Sequence, residues 1–298
     1  MILKLVSKIK NRELWKYIVW KFSFQRIKKF VKKAFFHLNN LNLLFDKSTF
    51  VKVKSKHGNI IINRNDIYIS SQIIEKGYWE LEEINYLKSV ILKSKKHYGD
   101  GVVVLDCGSN LGMHSLEFSK LMKNWGTVYS FEPQKPIFDA MTKTMLLNNC
   151  KNVYAQNVAL GSNNGFIKIP FLDYTKKLNF GGLELSSDND ASKIDNVNVN
   201  AIDYYRVDLK TIDSFKFKRV DLIKIDVEGM EYEVLMGAEN TLLRAKPILF
   251  FENTKSKHSK LDAYLKNRDY EIIREINKNI LAVHKKSNLY SNMNNDML

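Results

Sequence analysis

The chain has 298 residues, 45% hydrophobic and 27% charged, which is typical of a globular protein and excludes a largely disordered one. Its two cysteines exclude a disulfide framework and favour a cytoplasmic protein, and no apolar run reaches the roughly 18 residues of a membrane-spanning helix. The net charge of +15 is concentrated near the start, because residues 1–40 hold eleven Lys or Arg against one acid.

Residues 1–46 are predicted to be a basic amphipathic helical segment. They contain no Pro or Gly, and apolar residues such as Trp20, Phe24 and Ile27 recur at spacings of three and four. Three arrangements fit this pattern. The apolar stripe packs on the rest of the protein, the segment lies on an anionic membrane surface, or it binds nucleic acid or another partner.

Residues 47–98 are predicted to form a β-hairpin and a lead-in helix. Apolar and polar positions alternate over residues 49–70 around a turn at His57-Gly58-Asn59, which indicates a hairpin. A helix is expected over residues 78–96. We expect the turn residue His57 to lie at the surface.

Strands and helices alternate through residues 99–285. This order predicts an α/β fold with a mostly parallel sheet, helices on both faces and a closing antiparallel hairpin. A long polar loop follows the segment GFIKIPF, and residues 286–298 are predicted to be a disordered tail. The predicted strands are 102–106, 127–131, 152–158, 220–226, 247–252, 270–276 and 279–284, and the predicted helices are 112–123, 135–147, 230–243 and 258–267.

Three of the predicted strands end in acids, where open α/β sheets bind ligands. The first is followed by a glycine turn, Asp106-Cys107-Gly108-Ser109-Asn110-Leu111-Gly112. This turn lacks the third glycine of a dinucleotide fingerprint and the Lys-Ser/Thr of a phosphate-binding loop. An acid before the turn suits a ligand that carries a cation there. A tight strand–helix turn without any ligand also fits.

The second acid, Glu132, ends the next strand about twenty residues after the glycine turn. An acid in this place can accept hydrogen bonds from both hydroxyls of a ribose. Stabilisation of the following helix by its dipole is the alternative. Together with the first motif, the ribose interpretation is favoured.

The third motif, DLIKIDVEGMEYEVL, groups Lys224 with Asp226, Glu228 and Glu231 at the end of a buried strand. Such coupled charges often mark functional sites, although purely structural ion-pair networks look similar. Glu231 could also simply stabilise the first turn of the next helix.

Together these blocks resemble the FkbM-type family of S-adenosylmethionine-dependent methyltransferases. The similar segments are GYWE, VLDCGSNLGMHSLEF, VYSFEPQKPIFDAM, FGGLELSS, DLIKIDVEGMEYEVLMGAENTL and PILFFEN, which span about residues 77–253. The ordered pair of FEP and IKIDVEG is the most specific part. Cys107, Ser109 and His114 depart from the residues usual at their positions.

The resemblance implies a Rossmann-like class I methyltransferase fold with a seven-stranded sheet, and S-adenosyl-L-methionine as cofactor. It implies that the methionine part of the cofactor is surrounded by Asp106, Gly108, Asn110 and Gly112. It implies that Glu132 binds the ribose and that Asn157 and Val158 lie near the adenine. It also implies that Asp226 and Glu228 face the transferred methyl group.

Methyl transfer to a hydroxyl benefits from a general base. Asp226 or Glu228 is the expected base, with Lys224 or His114 as further candidates. We assign His114, Gly181 and Gly182 to the acceptor side of the site. No His or Cys spacing resembles a zinc site, so we expect no metal.

The family leaves the methyl acceptor open. We expect O-methylation of a sugar, a glycan or another small molecule. One alternative is an RNA methyltransferase whose basic segment holds phosphates. Another is a non-catalytic protein that binds a membrane surface or a partner.

Overall fold

The computed structural model describes residues 40, 43, 46–185, 193–194, 197–198, 203–252 and 258–294. The basic segment predicted for residues 1–46 lies almost wholly outside these ranges, so its helices and its membrane or nucleic-acid partners stay predictions. The division of the chain into four regions also stays a prediction.

The described residues from Phe50 onwards form fifteen strands and eight α-helices. The strands are β1 (Phe50–Ser55), β2 (Gly58–Asn63), β3 (Val102–Cys107), β4 (Gly126–Phe131), β5 (Val153–Gln156), β6 (Ala159–Leu160), β7 (Gly165–Pro170), β8 (Leu183–Glu184), β9 (Lys193–Ile194), β10 (Val197–Asn198), β11 (Tyr204–Lys210), β12 (Leu222–Ile225), β13 (Ile248–Glu252), β14 (Tyr270–Ile276) and β15 (Asn279–His284). The helices are α1 (Ile69–Lys76), α2 (Leu81–Tyr98), α3 (Met113–Leu121), α4 (Lys135–Leu147), α5 (Glu231–Met236), α6 (Glu239–Ala245), α7 (His258–Lys266) and α8 (Tyr290–Asn294).

The central sheet has seven strands in the order β14-β15-β13-β12-β3-β4-β5. Strands β13, β12, β3, β4 and β5 are mutually parallel, and β15 runs antiparallel to both of its neighbours. The predicted mostly parallel, seven-stranded sheet with an antiparallel closing strand is therefore confirmed. The strand order reverses between β3 and β12, which is where ligands bind in open sheets of this kind.

Both faces of the sheet are covered by helices. Successive strand residues point to opposite faces, so Val104 and Phe250 belong to one hydrophobic cluster and Leu105 and Phe251 to the other. The first cluster also contains Leu87 of α2, Phe118 of α3 and Met293 of α8. The second cluster also contains Val234 of α5, Leu242 of α6 and Leu261 of α7.

The structure corrects three expectations about elements. The predicted helix 230–243 is two helices, α5 and α6, because the chain at Gly237 passes so close to another turn that a Cβ would lie 2.0 Å from the Gly161 carbonyl oxygen. Strand β11, which the sequence analysis did not predict, pairs with β6 and β7 in a second sheet. The chain after residue 286 forms α8, with Leu289 and Met293 buried, where the sequence predicts a disordered tail, and the last four residues of that predicted tail lie outside the described residues.

The predicted hairpin is present as β1 and β2 and packs on α4. The backbone N–H of Ile61 donates to Thr144 Oγ1 at 2.9 Å. The side chain of Asn148 accepts from the N–H of Asn59 at 3.2 Å and donates to its carbonyl at 2.6 Å. These bonds attach the hairpin to the same helix that follows β4.

His57 is fully buried, so its expected surface position is wrong. Its Nε2 lies 3.1 Å from the backbone nitrogen and 2.9 Å from the backbone oxygen of Trp79, and its Nδ1 lies 3.7 Å from a carboxylate oxygen of Glu117. The histidine thus joins the hairpin turn to the segment that precedes α2.

Each helix in the described part of the chain is too short or too polar to span a membrane.

Replacing Asn148 by Ala is expected to lower the free energy of unfolding by about 1–3 kcal/mol, because both backbone groups of Asn59 lose their partners. Chemical denaturation measures this loss. Lys143→Ala, at an exposed position of the same helix, is the matched control and should change stability by less than about 0.5 kcal/mol. Equal losses in the two variants would show that this contact does not anchor the hairpin.

Candidate active site

A cleft of about 1430 Å³ opens at the carboxyl ends of β3, β4 and β12, beside the start of α2. Sites that hold one drug-sized ligand typically measure roughly 300–1,000 Å³, so this cleft has room for two ligands side by side. Its position matches the point where the strand order reverses.

Lys224 lies at the centre of the cleft floor. It stands directly across from Asp106 on the neighbouring strand, with its Nζ 3.4 Å from Asp106 Oδ1 and 3.3 Å from Asp226 Oδ2. The ammonium also donates to the carbonyl of Gly108 at 3.2 Å. Burial alone would lower the pKa of Lys224, but the charges of Asp226, Asp106 and Glu80 outweigh it and raise the pKa. Lys224 is therefore a fixed cation at neutral pH.

Asp106 lies beneath the cleft. It is fully buried, its Oδ2 accepts a hydrogen bond of 2.5 Å from the hydroxyl of Ser115, and that hydroxyl lies 2.6 Å from the hydroxyl of Ser130. Its side chain thus contacts Ser115 of α3 and Lys224, and Ser115 links it to Ser130 of β4. The direct contact with a cofactor that the resemblance implies for Asp106 stays a prediction.

The two glycines of the first turn are required by neighbouring protein atoms. Gly108 has φ +75°, and a Cβ there would lie 1.8 Å from the Asp226 carbonyl oxygen. Gly112 has φ +84°, and a Cβ there would lie 2.7 Å from atoms of Met141 and Met145. Of the two, only Gly108 lines the cleft, together with Asn110. Close packing against Met141 and Met145 therefore accounts for Gly112, and its contact with a cofactor stays a prediction.

Glu132 presents its carboxylate to the cleft from the end of β4. Its two oxygens accept the backbone N–H groups of Gln134 and Asn110, each at 2.9 Å. Burial raises the pKa of Glu132 to about 7, although these hydrogen bonds act in the opposite direction. The side chain of Asn157 donates to the carbonyls of Glu132 and Pro133 at 2.9 and 3.0 Å and so holds the turn.

Val158, the second residue expected near adenine, lines the cleft.

The loop between β12 and α5 carries Asp226 and Glu228 into the cleft. Glu228 and Gly229 both adopt positive φ, at +56° and +101°. Glu231, which is only 1% exposed, accepts the backbone N–H groups of Gly229 at 3.1 Å and Val227 at 3.3 Å. Glu231 therefore fixes this loop as well as beginning the helix.

Five glutamates that line the cleft were not found from the sequence, and two of them, Glu80 and Glu83, form one wall of it. Glu80 and Glu83 lie at the start of α2, and Glu80 Oε2 is 3.8 Å from His114 Nδ1. Burial, followed by the charges of Asp226 and Glu83, raises the pKa of Glu80 to about 8. Glu83 accepts hydrogen bonds from the side chains of Asn277 at 2.7 Å and Asn279 at 3.0 Å. Only the fold brings these distant residues together.

The predicted acceptor residues Gly181 and Gly182 line the cleft and sit in a short, well-tied turn. Asn179 caps the turn by accepting the N–H of Gly182, and the side chain of Gln134 donates to the carbonyl of Phe180 at 2.9 Å. This turn is thereby linked to the residues that follow β4. The predicted acceptor residue His114 lines the same cleft.

The cleft is acidic although the chain is strongly basic. Eight acids line it against three lysines, while the whole chain has a net charge of +15. These residues are Glu80, Glu82, Glu83, Glu132, Glu184, Asp226, Glu228 and Glu252, and Lys76, Lys224 and Lys278.

A family model described as the methyltransferase FkbM domain matches residues 106–272, more than half of the chain. A Beauveria bassiana protein named Methyltransferase 1 is 27% identical over 156 residues, which cover 48% of this chain and 61% of that protein. The chain therefore matches less than two thirds of this relative's length.

The solved structures to which the chain is similar include the following two. Methyltransferase FkbM from Methylobacillus flagellatus is 19% identical with a TM-score of 0.43, and the match covers 62% of this chain and 43% of the other. A tRNA (uracil-54, C5)-methyltransferase from Pyrococcus abyssi, in complex with S-adenosyl-L-homocysteine, is 11% identical with a TM-score of 0.40, covering 79% of this chain and 44% of the other.

Glu231→Gln is expected to stabilise the protein at neutral and higher pH. Burial raises the pKa of Glu231 from 4.5 to about 7, so the folded chain keeps this proton where the unfolded chain loses it. The stability of the wild type should fall as pH rises from about 4.5 to 7, by up to about 3 kcal/mol from this group. In the Gln variant Oε1 can still accept both loop N–H groups.

Thermal unfolding at pH 5 and pH 8 measures the difference. The variant's advantage should grow between the two pH values, whereas Glu233→Gln, at a half-buried position of the same helix, should show no such growth. An advantage for Glu231→Gln that does not change with pH would contradict the buried charge.

Proposed function

Because the chain belongs to the FkbM methyltransferase domain family, we propose that it is an S-adenosyl-L-methionine-dependent methyltransferase that methylates a hydroxyl of a sugar, a glycan or another small molecule. The observation that carries the proposal is the Glu132 carboxylate, which faces the cleft from the end of β4 with both oxygens held by backbone N–H groups.

The cofactor residues follow from the lining of the cleft. Glu132 would accept the two ribose hydroxyls, since each carboxylate oxygen can accept a second hydrogen bond. Gly108 and Asn110 would border the methionine part, and Val158 would border the adenine. The cofactor's sulfonium supplies an already activated methyl group. An acidic cleft favours such a cationic ligand over an anionic one.

Asp226 is the proposed general base. Its side chain is 36% exposed towards the cleft, and the adjacent Lys224 holds one of its oxygens. Asp226 would take the proton from the acceptor hydroxyl while that oxygen forms its bond to the methyl carbon and the bond from this carbon to the cofactor's sulfur breaks, so that S-adenosyl-L-homocysteine leaves. Glu228 is the second candidate. Lys224 is excluded as a base at neutral pH, because its neighbours raise its pKa and keep it protonated.

The acidic lining favours a neutral or cationic acceptor over RNA. An RNA acceptor would bring phosphates next to an excess of five carboxylates in the cleft. Like-charge contacts of this kind oppose binding. A sugar or polyol carries no such charge and can donate hydrogen bonds to the carboxylates. The basic segment in residues 1–46 is the feature that favours RNA. The full-length chain, which contains this segment, is therefore the protein to assay.

Glu132→Ala is expected to weaken cofactor binding by about 10- to 100-fold, because hydrogen bonds to a charged group are worth roughly 1.5–3 kcal/mol. Calorimetry with S-adenosyl-L-methionine measures the change. Asp139→Ala, a surface change on α4, should leave the affinity unaltered. A folded wild type that binds no cofactor would end the methyltransferase proposal.

Asp226→Asn is expected to lower methyl transfer by about 10²–10⁴-fold while cofactor affinity changes little. The full-length chain is incubated with methyl-labelled cofactor and, separately, with pooled neutral glycans and polyols or with total RNA. Label is expected in the first pool and not in RNA, and Asp208→Asn, at an exposed position on β11, should transfer normally. Label in RNA alone would replace the proposed acceptor class.

A further inference from the structure

Glu80, Glu83 and His114 lie together on one wall of the cleft. One ring nitrogen of His114 and one carboxylate oxygen of each glutamate all lie within 4.8 Å of one another. Nitrogen and oxygen ligands bind divalent ions at roughly 2.0–2.6 Å, so three donors at this spacing can reach a single ion. We propose that Glu80, Glu83 and His114 form a binding site for a divalent transition-metal ion.

His114 provides an observation independent of the acids. It is 5% exposed, it lines the cleft, and within the described residues its Nε2 is buried without a hydrogen-bond partner. Its Nδ1, at 3.8 Å from Glu80, is too far for a hydrogen bond. A metal ion beside the two glutamates would bind the ring through one of these nitrogens and offset part of the cost of burying it.

Glu83 is oriented like a metal ligand. Asn277 donates to one of its oxygens and Asn279 to the other, so the carboxylate is fixed by amides from the turn between β14 and β15. Hydrogen bonds of this outer kind commonly fix the ligands of metal sites. Each oxygen keeps lone-pair capacity for an ion.

Glu80 is placed by its backbone. It has φ +42°, in the left-handed region that a residue other than glycine rarely adopts, and it directly follows the Trp79 peptide that His57 holds. Strained backbone of this kind is frequent at functional sites. The three donors therefore lie on two helix starts that are positioned separately.

The contacts of Lys224 leave the two glutamates to a cation. Among the described residues, the hydrogen bonds and ion pairs of Lys224 run to Gly108, Asp106 and Asp226. An ion beside Glu80 and Glu83 would therefore not displace this lysine.

An imidazole with two carboxylates selects Mn²⁺, Fe²⁺, Co²⁺ or Zn²⁺ over Mg²⁺ and Ca²⁺, which prefer oxygen ligands alone. Three protein ligands leave open positions for oxygen atoms of a second ligand in the cleft. Such an ion would hold the acceptor hydroxyl, and this use rests on the proposed function, whereas the binding of the ion does not.

A second group of acids, Asp226, Glu228 and Glu252, is equally close-spaced. It has no imidazole, and Asp226 already pairs with Lys224. We therefore propose no metal site at this group, and Glu252 serves as a control.

The test is a titration of the full-length, chelator-treated chain with Co²⁺ in the absence of cofactor, followed by visible absorption and calorimetry. The wild type is expected to bind one Co²⁺ per chain at this site and to develop ligand-field bands. His114→Ala and Glu83→Gln should each weaken binding by at least about tenfold. Glu82→Gln, an exposed acid one residue away on α2, and Glu252→Gln should bind like the wild type.

Thermal unfolding separates loss of the site from loss of the fold. Co²⁺ should raise the melting temperature of the wild type but not that of His114→Ala, with both proteins unfolding cooperatively without metal. No binding by the folded wild type would overturn the proposal. Binding that survives in His114→Ala and disappears in Glu252→Gln would also overturn it. Since no cofactor is present, neither result depends on the proposed methyl transfer.

Discussion

The buried ammonium of Lys224 joins the two halves of the sheet at the point where the strand order reverses. It forms ion pairs with Asp106 on β3 and with Asp226 just after β12, and it donates a hydrogen bond to the carbonyl of Gly108. Burying three charges is costly unless all of them are paired, so the removal of one partner leaves the others uncompensated. The glycine turn, the loop after β12 and the floor of the cleft all take their positions from this group.

An excess of buried carboxylates surrounds this cation, and different hydrogen-bond donors hold them. Glu132 and Glu231 each accept two backbone N–H groups, and Glu83 accepts two side-chain amides. Glu80 lacks such a pair of amide donors, and its pKa is raised the furthest, to about 8. The acidity of the cleft is thus a property of the fold and stands against the basic character of the whole chain.

The sheet and the acids at its strand ends could be predicted because both depend on local pattern, namely β–α alternation and residues adjacent in the chain. The wall formed by Glu80, Glu83 and Asn277 could not, since no spacing in the sequence links residues about 190 positions apart. Strand β11 was missed because its apolar pattern is weak, since only Val207 and Leu209 of its seven residues are buried. Neighbouring protein atoms surround Asp106 and Gly112 closely, and contact of either residue with a cofactor stays a prediction.

The buried His57 enlarges the part of this protein that a chimera would have to include. The hairpin looks like an attachment to the sheet, yet its turn histidine holds the peptide of Trp79, which precedes Glu80 at the cleft wall. A chimera that took only the sheet and its crossover helices would leave this support behind. Engineering that transfers this cleft wall to another protein must therefore move the hairpin, residues 50–63, together with the start of α2.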